Sequence, residues 1–127
     1  MSLVRATGTK LEKVFLRFLR AQGITKGYNL DRRNLLGRPD VVFEKEKLCF
    51  FVDSDFWHGW QFPRWKHKLK EGFWRDKIQK NRERDREVTR GLRSRGWRVV
   101  RLWEHDLIRR PDKILGKLKK AIGSFRI

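Results

Sequence analysis

Hydrophobic positions along the chain change their spacing several times, and each change marks an element. Leu11, Val14, Phe15, Phe18 and Leu19 recur at helical spacing. Thr9-Lys10-Leu11-Glu12 ahead of them has the form of a capping box, and Gly23 closes the segment. The pattern predicts a first helix. A polar loop from Asn29 to Pro39 follows, and then two compact apolar runs, Val41 to Phe43 and Leu48 to Val52, flank the charged turn Glu44-Lys45-Glu46-Lys47. These read as a hairpin of core strands. From Asp53 to Gly72 the text is aromatic, basic and broken by Gly59 and Pro63, which predicts an irregular surface segment of the kind that carries functional groups. Helical spacing returns from Phe73 to about Ser94 with Trp74, Ile78, Val88 and Leu92. Gly96 ends that helix, Trp97 to Trp103 reads as a third strand, and Pro111 opens a short amphipathic helix with Ile114, Leu115, Leu118 and Ile122. The order helix, two strands, helix, strand, helix predicts an α/β fold. No repeat or linker interrupts it, so residues 1–127 are expected to form a single domain.

Two polar residues break the apolar stripe of the long helix. At ~100° per residue, Asn81 and Asp85 fall among Ile78 and Val88. A carboxylate at Asp85 should therefore turn toward the protein interior and need a partner there.

Charge narrows the range of partners. The 33 Lys and Arg against 15 Asp and Glu give a formal net charge of +18, far beyond the ~2 to 8 that keeps a small domain soluble. A polyanion, DNA or RNA, is the expected partner. A hydrophobic content of 39% with six Trp and nine Phe excludes a wholly disordered chain. The single cysteine, Cys49, lies inside the apolar run LCFFV, so no intrachain disulfide forms and a buried thiol is expected. No apolar run approaches the ~20 residues of a membrane span, and no signal-peptide core is visible. The expectation is no membrane contact and a cytoplasmic location, nucleoid-associated when bound to DNA.

Phosphodiester hydrolysis needs an activated water, charge neutralisation on the phosphate and help for the leaving oxygen, which divalent ions held by carboxylates provide. Asp40 opens a core strand and Asp53 stands at the end of the next. Such oxygen ligands suit magnesium, or manganese, better than zinc, although an Asp after a Pro also caps turns. His58 is the histidine close in sequence to these carboxylates and the natural general base, with Asp85 as the carboxylate that would orient its imidazole. Glu12 is accounted for by the capping box or by catalysis. Phe56, Trp57, Trp60, Trp65 and Trp74 are interleaved with Arg64, Lys66, Lys68 and Lys70. That mixture suits base stacking and wedging beside phosphate contacts, and Arg38 joins Arg64 and Lys66 as a candidate DNA contact. Phe56 and Trp57 are expected to be exposed, while Trp74 serves DNA or the core.

Taken in order, Glu12, GRPD ending at Asp40, FWH ending at His58, FW ending at Trp74, KNRERD ending at Asp85 and then GWRVVRLWE closely resemble the very short patch repair endonucleases. The resemblance covers nearly the whole chain, and the ordered set is also similar to a nuclease module of some homing endonucleases. It implies a restriction-endonuclease-like α/β fold with a small central mixed sheet flanked by helices, and magnesium-dependent cutting or nicking of double-stranded DNA. The leading specific version is a nick at a G·T mismatch. By the same resemblance, Asp40 binds magnesium together with the backbone carbonyl of Val52, and Glu12 holds metal-bound water. His58 activates the attacking water, paired with Asp85, and Phe56, Trp57 and Trp74 intercalate beside the mismatch.

The chain departs from the repair enzymes where they carry a structural zinc. Asp55 and His105 stand where two of its cysteines are expected, and one Cys cannot rebuild the site. No structural zinc is therefore expected. Asp53 replaces a second histidine and is read either as an added metal ligand or as a variable position. The competing readings are a homing-type nuclease module without mismatch specificity, fused to a DNA-targeting domain, and a noncatalytic nucleic-acid-binding protein. Double-stranded DNA is the expected partner, with repair proteins or that fused domain beside it.

Overall fold

Leu48-Cys49-Phe50-Phe51-Val52 is apolar at every position, and a strand without a polar face must be covered on both sides. The computed structural model describes residues 10–30, 35–55 and 72–122, and of residues 73 and 74 the backbone alone. It places strand β3, Leu48–Asp53, inside a four-stranded sheet of order β1-β2-β3-β4, with β1 at Asn29–Leu30, β2 at Val41–Phe43 and β4 at Arg98–Trp103. The helices are α1, Lys10–Ala21, α2, Gly72–Ser94, α3, Glu104–Arg109, and α4, Pro111–Ile122.

Alternation along β3 builds two cores. Leu48, Phe50 and Val52 pack with Phe15 and Leu19 of α1, Leu107 of α3, and Ile114 and Leu118 of α4. Cys49 and Phe51 face the other way, onto Val88 and Leu92 of α2. Apart from Leu107, the helical members of both contact sets are residues that recur at helical spacing, so the amphipathic stripes and the two-faced strand specify each other. Strands β1, β2 and β3 pair antiparallel, whereas β3 and β4 run parallel in register from Leu48 with Arg98 to Asp53 with Trp103. A parallel pair needs a long crossover, and α2 supplies its helix.

The fold differs from the sequence pattern in three places. Asn29 and Leu30, inside the expected polar loop, form β1 against Val42 and Val41; both are exposed, so no apolar pattern announces the strand. Strand β3 runs through Asp53, where the pattern places the start of an irregular segment, because Asp53 still pairs with Trp103. Helix α3 has no counterpart in the predicted order. Only Asp106 and Leu107 of its six residues are buried, too few to write a helical period. The predicted capping box cannot be followed to its start, since Thr9 lies outside the described residues.

Gly37 fixes how the loop before β2 sits on α2. Its φ is +77° and a Cβ there would collide with Val88 Cγ1. A left-handed backbone costs a non-glycine residue roughly 1–2 kcal/mol, and an overpacked contact costs about 1–3 kcal/mol more. Gly37→Ala should therefore destabilise the protein by about 2–5 kcal/mol in chemical denaturation. Gly27 is the control, since its φ is +91° but nothing lies within 4 Å of where a Cβ would stand. Gly27→Ala should cost only the backbone part. Equal losses at the two positions would show that the Val88 contact does not constrain the loop.

Candidate active site

Asp40 lies one residue before β2 and is 3% exposed. Its backbone N–H donates to the Phe50 carbonyl at 2.9 Å, which turns the Phe50 peptide edge toward β2. Peptide edges alternate along a strand, so the edge of Val52 faces the same side, beyond the end of the β2 ladder. There the Val52 N–H donates to Asp40 Oδ2 at 2.7 Å. A side-chain carboxylate thus takes the place of a strand partner. The bond is buried and charge-assisted, and it fixes one Asp40 oxygen beside the Val52 peptide.

The next residue of β3 turns to the opposite face. Asp53, 2% exposed, receives Arg101 Nη1 at 3.0 Å on Oδ1 and 3.2 Å on Oδ2. Arg101 also donates Nε to Thr89 Oγ1 at 2.9 Å and Nη2 to the Asp85 carbonyl at 3.3 Å. Its Nη1 lies 3.8 Å from Asp85 Oδ1, and its guanidinium carbon sits 4.2 Å above the Phe51 ring. Asp85 is half-buried and turned toward β4, as its place on the helical stripe requires, with Arg101 facing it. Asn81, on the same stripe, is buried and accepts from Arg84 Nη2 at 2.6 Å.

Nothing in the sequence singles out Arg101 as a site residue. The one available signal is strand alternation: Val99, Arg101 and Trp103 share a face, and a cation on a face packed against a helix implies an anion nearby. The same guanidinium touches the chemistry of Cys49. Burial pushes this thiol up to about 11, against the opposing pull of the Arg101 charge, so the cysteine is a neutral core residue, as expected from its apolar run.

Glu12 is 4% exposed on α1, with its side chain inside the protein. Arg38 adopts a left-handed backbone, φ 52°, directly before Pro39 and Asp40. A non-glycine residue in that region carries strain and needs its surroundings to hold it. His58, Phe56, Trp57, Arg64 and Lys66 lie outside the described residues, as does the side chain of Trp74. Among the described residues, the structure joins Asp40 to Val52, and Asp53 to Asp85 through Arg101.

The positions expected to depart from a zinc site do contact each other. His105 Nδ1 is 2.9 Å from Asp55 Oδ1, and the Asp55 N–H donates to Glu104 Oε1 at 3.0 Å. His105 Nε2 lies 3.4 Å from Asp106 Oδ1, while Lys113 Nζ lies 3.4 Å from Asp106 Oδ2. These contacts tie the end of β3 to α3 and α4.

A mixed sheet flanked by helices, with buried carboxylates at adjoining strand ends in a strongly cationic chain, fits the restriction-endonuclease-like class. Comparison with known proteins makes this specific. The model of the family described as DNA mismatch endonuclease Vsr matches residues 1–64. The chain is 36% identical over 117 residues to the Type II nicking enzyme V.HpaIIP of Haemophilus parainfluenzae, covering 91% of this chain and 82% of that one. It is 34% identical over 120 residues to the Type II nicking enzyme V.NmeDIP of Neisseria meningitidis serogroup C, covering 93% and 80%. It is 33% identical over 105 residues to the DNA mismatch endonuclease Vsr of Escherichia coli K12, covering 82% and 66%. The chain belongs to the DNA mismatch endonuclease Vsr family, and it is a DNA endonuclease. Among the described residues no helix is long and apolar enough to cross a membrane.

Proposed function

We propose that the chain is a magnesium-dependent endonuclease that nicks one strand of double-stranded DNA at a G·T mismatch. The observation that carries the reading is the lock between the Asp40 carboxylate and the Val52 N–H at 2.7 Å. It presents a carboxylate oxygen and, on the same strand edge, a backbone carbonyl as two hard donors. No group of three or more His, Cys, Asp or Glu that could hold a metal occurs among the described residues. Magnesium does not require one, because it keeps several waters and binds through one or two carboxylates plus the substrate phosphate. Manganese takes the same donors. Bound there, the ion would neutralise phosphate charge and activate water.

The remaining roles belong to the chain's own groups. His58 takes the proton of the attacking water, and Asp85 holds the imidazole in orientation. Glu12 supplies a further buried carboxylate from α1. Asp53 is the weaker member of the donor set, since both its oxygens already face Arg101 Nη1; it would reach an ion only by loosening that pair. Phe56, Trp57 and Trp74 wedge beside the mismatch, and Arg38, Arg64 and Lys66 bind phosphates. The names of the relatives, nicking enzymes and a mismatch endonuclease, support a nick and a mismatched substrate.

Supercoiled plasmid and short duplexes with a G·T or a matched G·C pair test this directly. Relaxed circles should accumulate only with magnesium or manganese, and the G·T duplex should be nicked in preference to the matched one. Equal cutting of both duplexes would remove the mismatch specificity, and undiminished nicking in EDTA would remove the metal.

The contacts around His105 stand in for a structural zinc in this reading. Thermal unfolding should then be the same in EDTA and in added zinc, while His105→Ala should cost about 1–2 kcal/mol through the lost charge-assisted bond. A melting temperature that falls in EDTA would show that a metal holds this corner together.

A further inference from the structure

We propose that Arg101 is a positioning residue of the active site, which sets Asp85 against the end of β3 and thereby aims the general base. The inference deepens the proposed function and rests on its assignment of Asp85 as the carboxylate that orients His58.

Three elements meet on this one side chain. From β4, Arg101 gives Nη1 to both oxygens of Asp53 at the end of β3. Its Nε goes to Thr89 Oγ1 and its Nη2 to the Asp85 carbonyl, so it grips α2 at two residues one helical turn apart. Nη1 also faces the Asp85 carboxylate at 3.8 Å. The planar fork thus fixes the backbone of residue 85, the direction of its side chain and the distance of α2 from β3 in one set of contacts. The Phe51 ring beneath, 4.2 Å from the guanidinium carbon, holds the plane of the fork. Behind it, Lys117 Nζ donates to the Arg101 carbonyl at 3.1 Å, tying α4 to the same strand residue.

Such a fork cannot be replaced by a point charge. Lysine would keep the cation but could not serve Asp53, Thr89 and the Asp85 carbonyl together. Arg101 is also poorly placed to bind DNA, because its side chain is only 21% exposed and all three of its nitrogens already have acceptors. Its effect should consequently appear in turnover and not in affinity. Misplacing a catalytic group by about 1 Å costs about a hundredfold in rate, and that is the size of loss expected from Arg101→Gln.

The test is a double-mutant cycle on the G·T duplex with magnesium. Arg101→Gln should lower kcat about a hundredfold, with KM within about threefold of wild type and an unchanged salt dependence of binding. In the Asp85→Asn background the same substitution should cost less than about threefold, because a residue that acts through Asp85 has nothing left to position. Arg101→Lys should recover only part of the loss. Additive losses in the two backgrounds would overturn the proposal and leave a structural ion pair. A rise in KM with a salt slope reduced by about one would overturn it in favour of a phosphate contact.

Thr89→Val keeps the charge and the ion pair, and it carries the test if Arg101→Gln does not fold. It should lower kcat several-fold in the wild-type background and not at all with Asp85→Asn; equal losses in both would again overturn the proposal. Asp85→Asn by itself separates the positioning role from the function beneath it. Full activity of that single variant would sink the role of Asp85 in the proposed function. A slow Asp85→Asn enzyme with additive Arg101 losses sinks the positioning role alone.

Discussion

Replacing Asp40 by Asn should reduce metal-dependent nicking at least about a thousandfold while leaving the fold and DNA binding in place. The substitution is chosen from the geometry. Asp40 Oδ2 accepts the buried Val52 N–H at 2.7 Å, and an Asn oxygen can still accept it, so that buried donor keeps its acceptor. Stability should fall by only about 1 kcal/mol, the difference between a charge-assisted and a neutral bond. What disappears is the negative charge and one of the two oxygens, the properties a magnesium ion needs. Charge stabilisation by a bound divalent ion is worth several kcal/mol in the transition state, and each 1.36 kcal/mol is tenfold in rate, which sets the expected loss. DNA affinity measured without metal should be equal or slightly higher, because a negative charge near the phosphate has gone. Single-turnover nicking, denaturant unfolding and a binding titration check the three parts. An Asp40→Asn enzyme that nicks within tenfold of wild type would remove Asp40 from the metal site.

The fold was legible where burial is one-sided or complete. The helical stripes of α1, α2 and α4 and the unbroken apolar run of β3 were visible because each must meet an apolar partner, and the two cores show them doing so. Strand β1 and helix α3 were not, since exposed Asn29 and Leu30 and a six-residue helix with two buried positions leave no period to read. The candidate site divides in the same way. Asp40 was visible because a carboxylate opening an apolar strand is conspicuous. Asp85 was visible because it interrupts an apolar stripe, and the inward turn inferred from that interruption agrees with its approach to Arg101. Arg101 itself was hidden, as one more cation among 33 Lys and Arg. Its significance arises only when the parallel pairing of β3 and β4 brings it over Phe51 and next to Asp53. Composition predicts that such a chain binds polyanions, but it cannot tell which cation faces inward. Sheet register decides that.

His58→Ala should lower kcat about a hundred- to ten-thousandfold, the range in which a positioned general base acts, with DNA affinity nearly unchanged. The pH profile gives the sharper signature. An imidazole must be neutral to accept a proton, so wild-type kcat should fall as the pH drops and the ring is protonated. Protonation removes the base, which places the loss on the acid side. In His58→Ala that limb should vanish and the residual rate should rise only with hydroxide, while added imidazole should restore part of it. Because Asp85 is proposed to act through the same ring, Asp85→Asn in the His58→Ala background should add almost nothing, whereas alone it should cost a substantial part of the loss. Arg101 stands one step further back. Its grip on the Asp85 carbonyl and on Thr89 is useful to turnover only while an imidazole is there to be aimed, so Arg101→Gln should likewise be nearly silent once His58 is gone. A His58→Ala enzyme that retains the acid limb would mean that another group takes the proton, and the chain of positioning from β4 through α2 to the base would lose its last link.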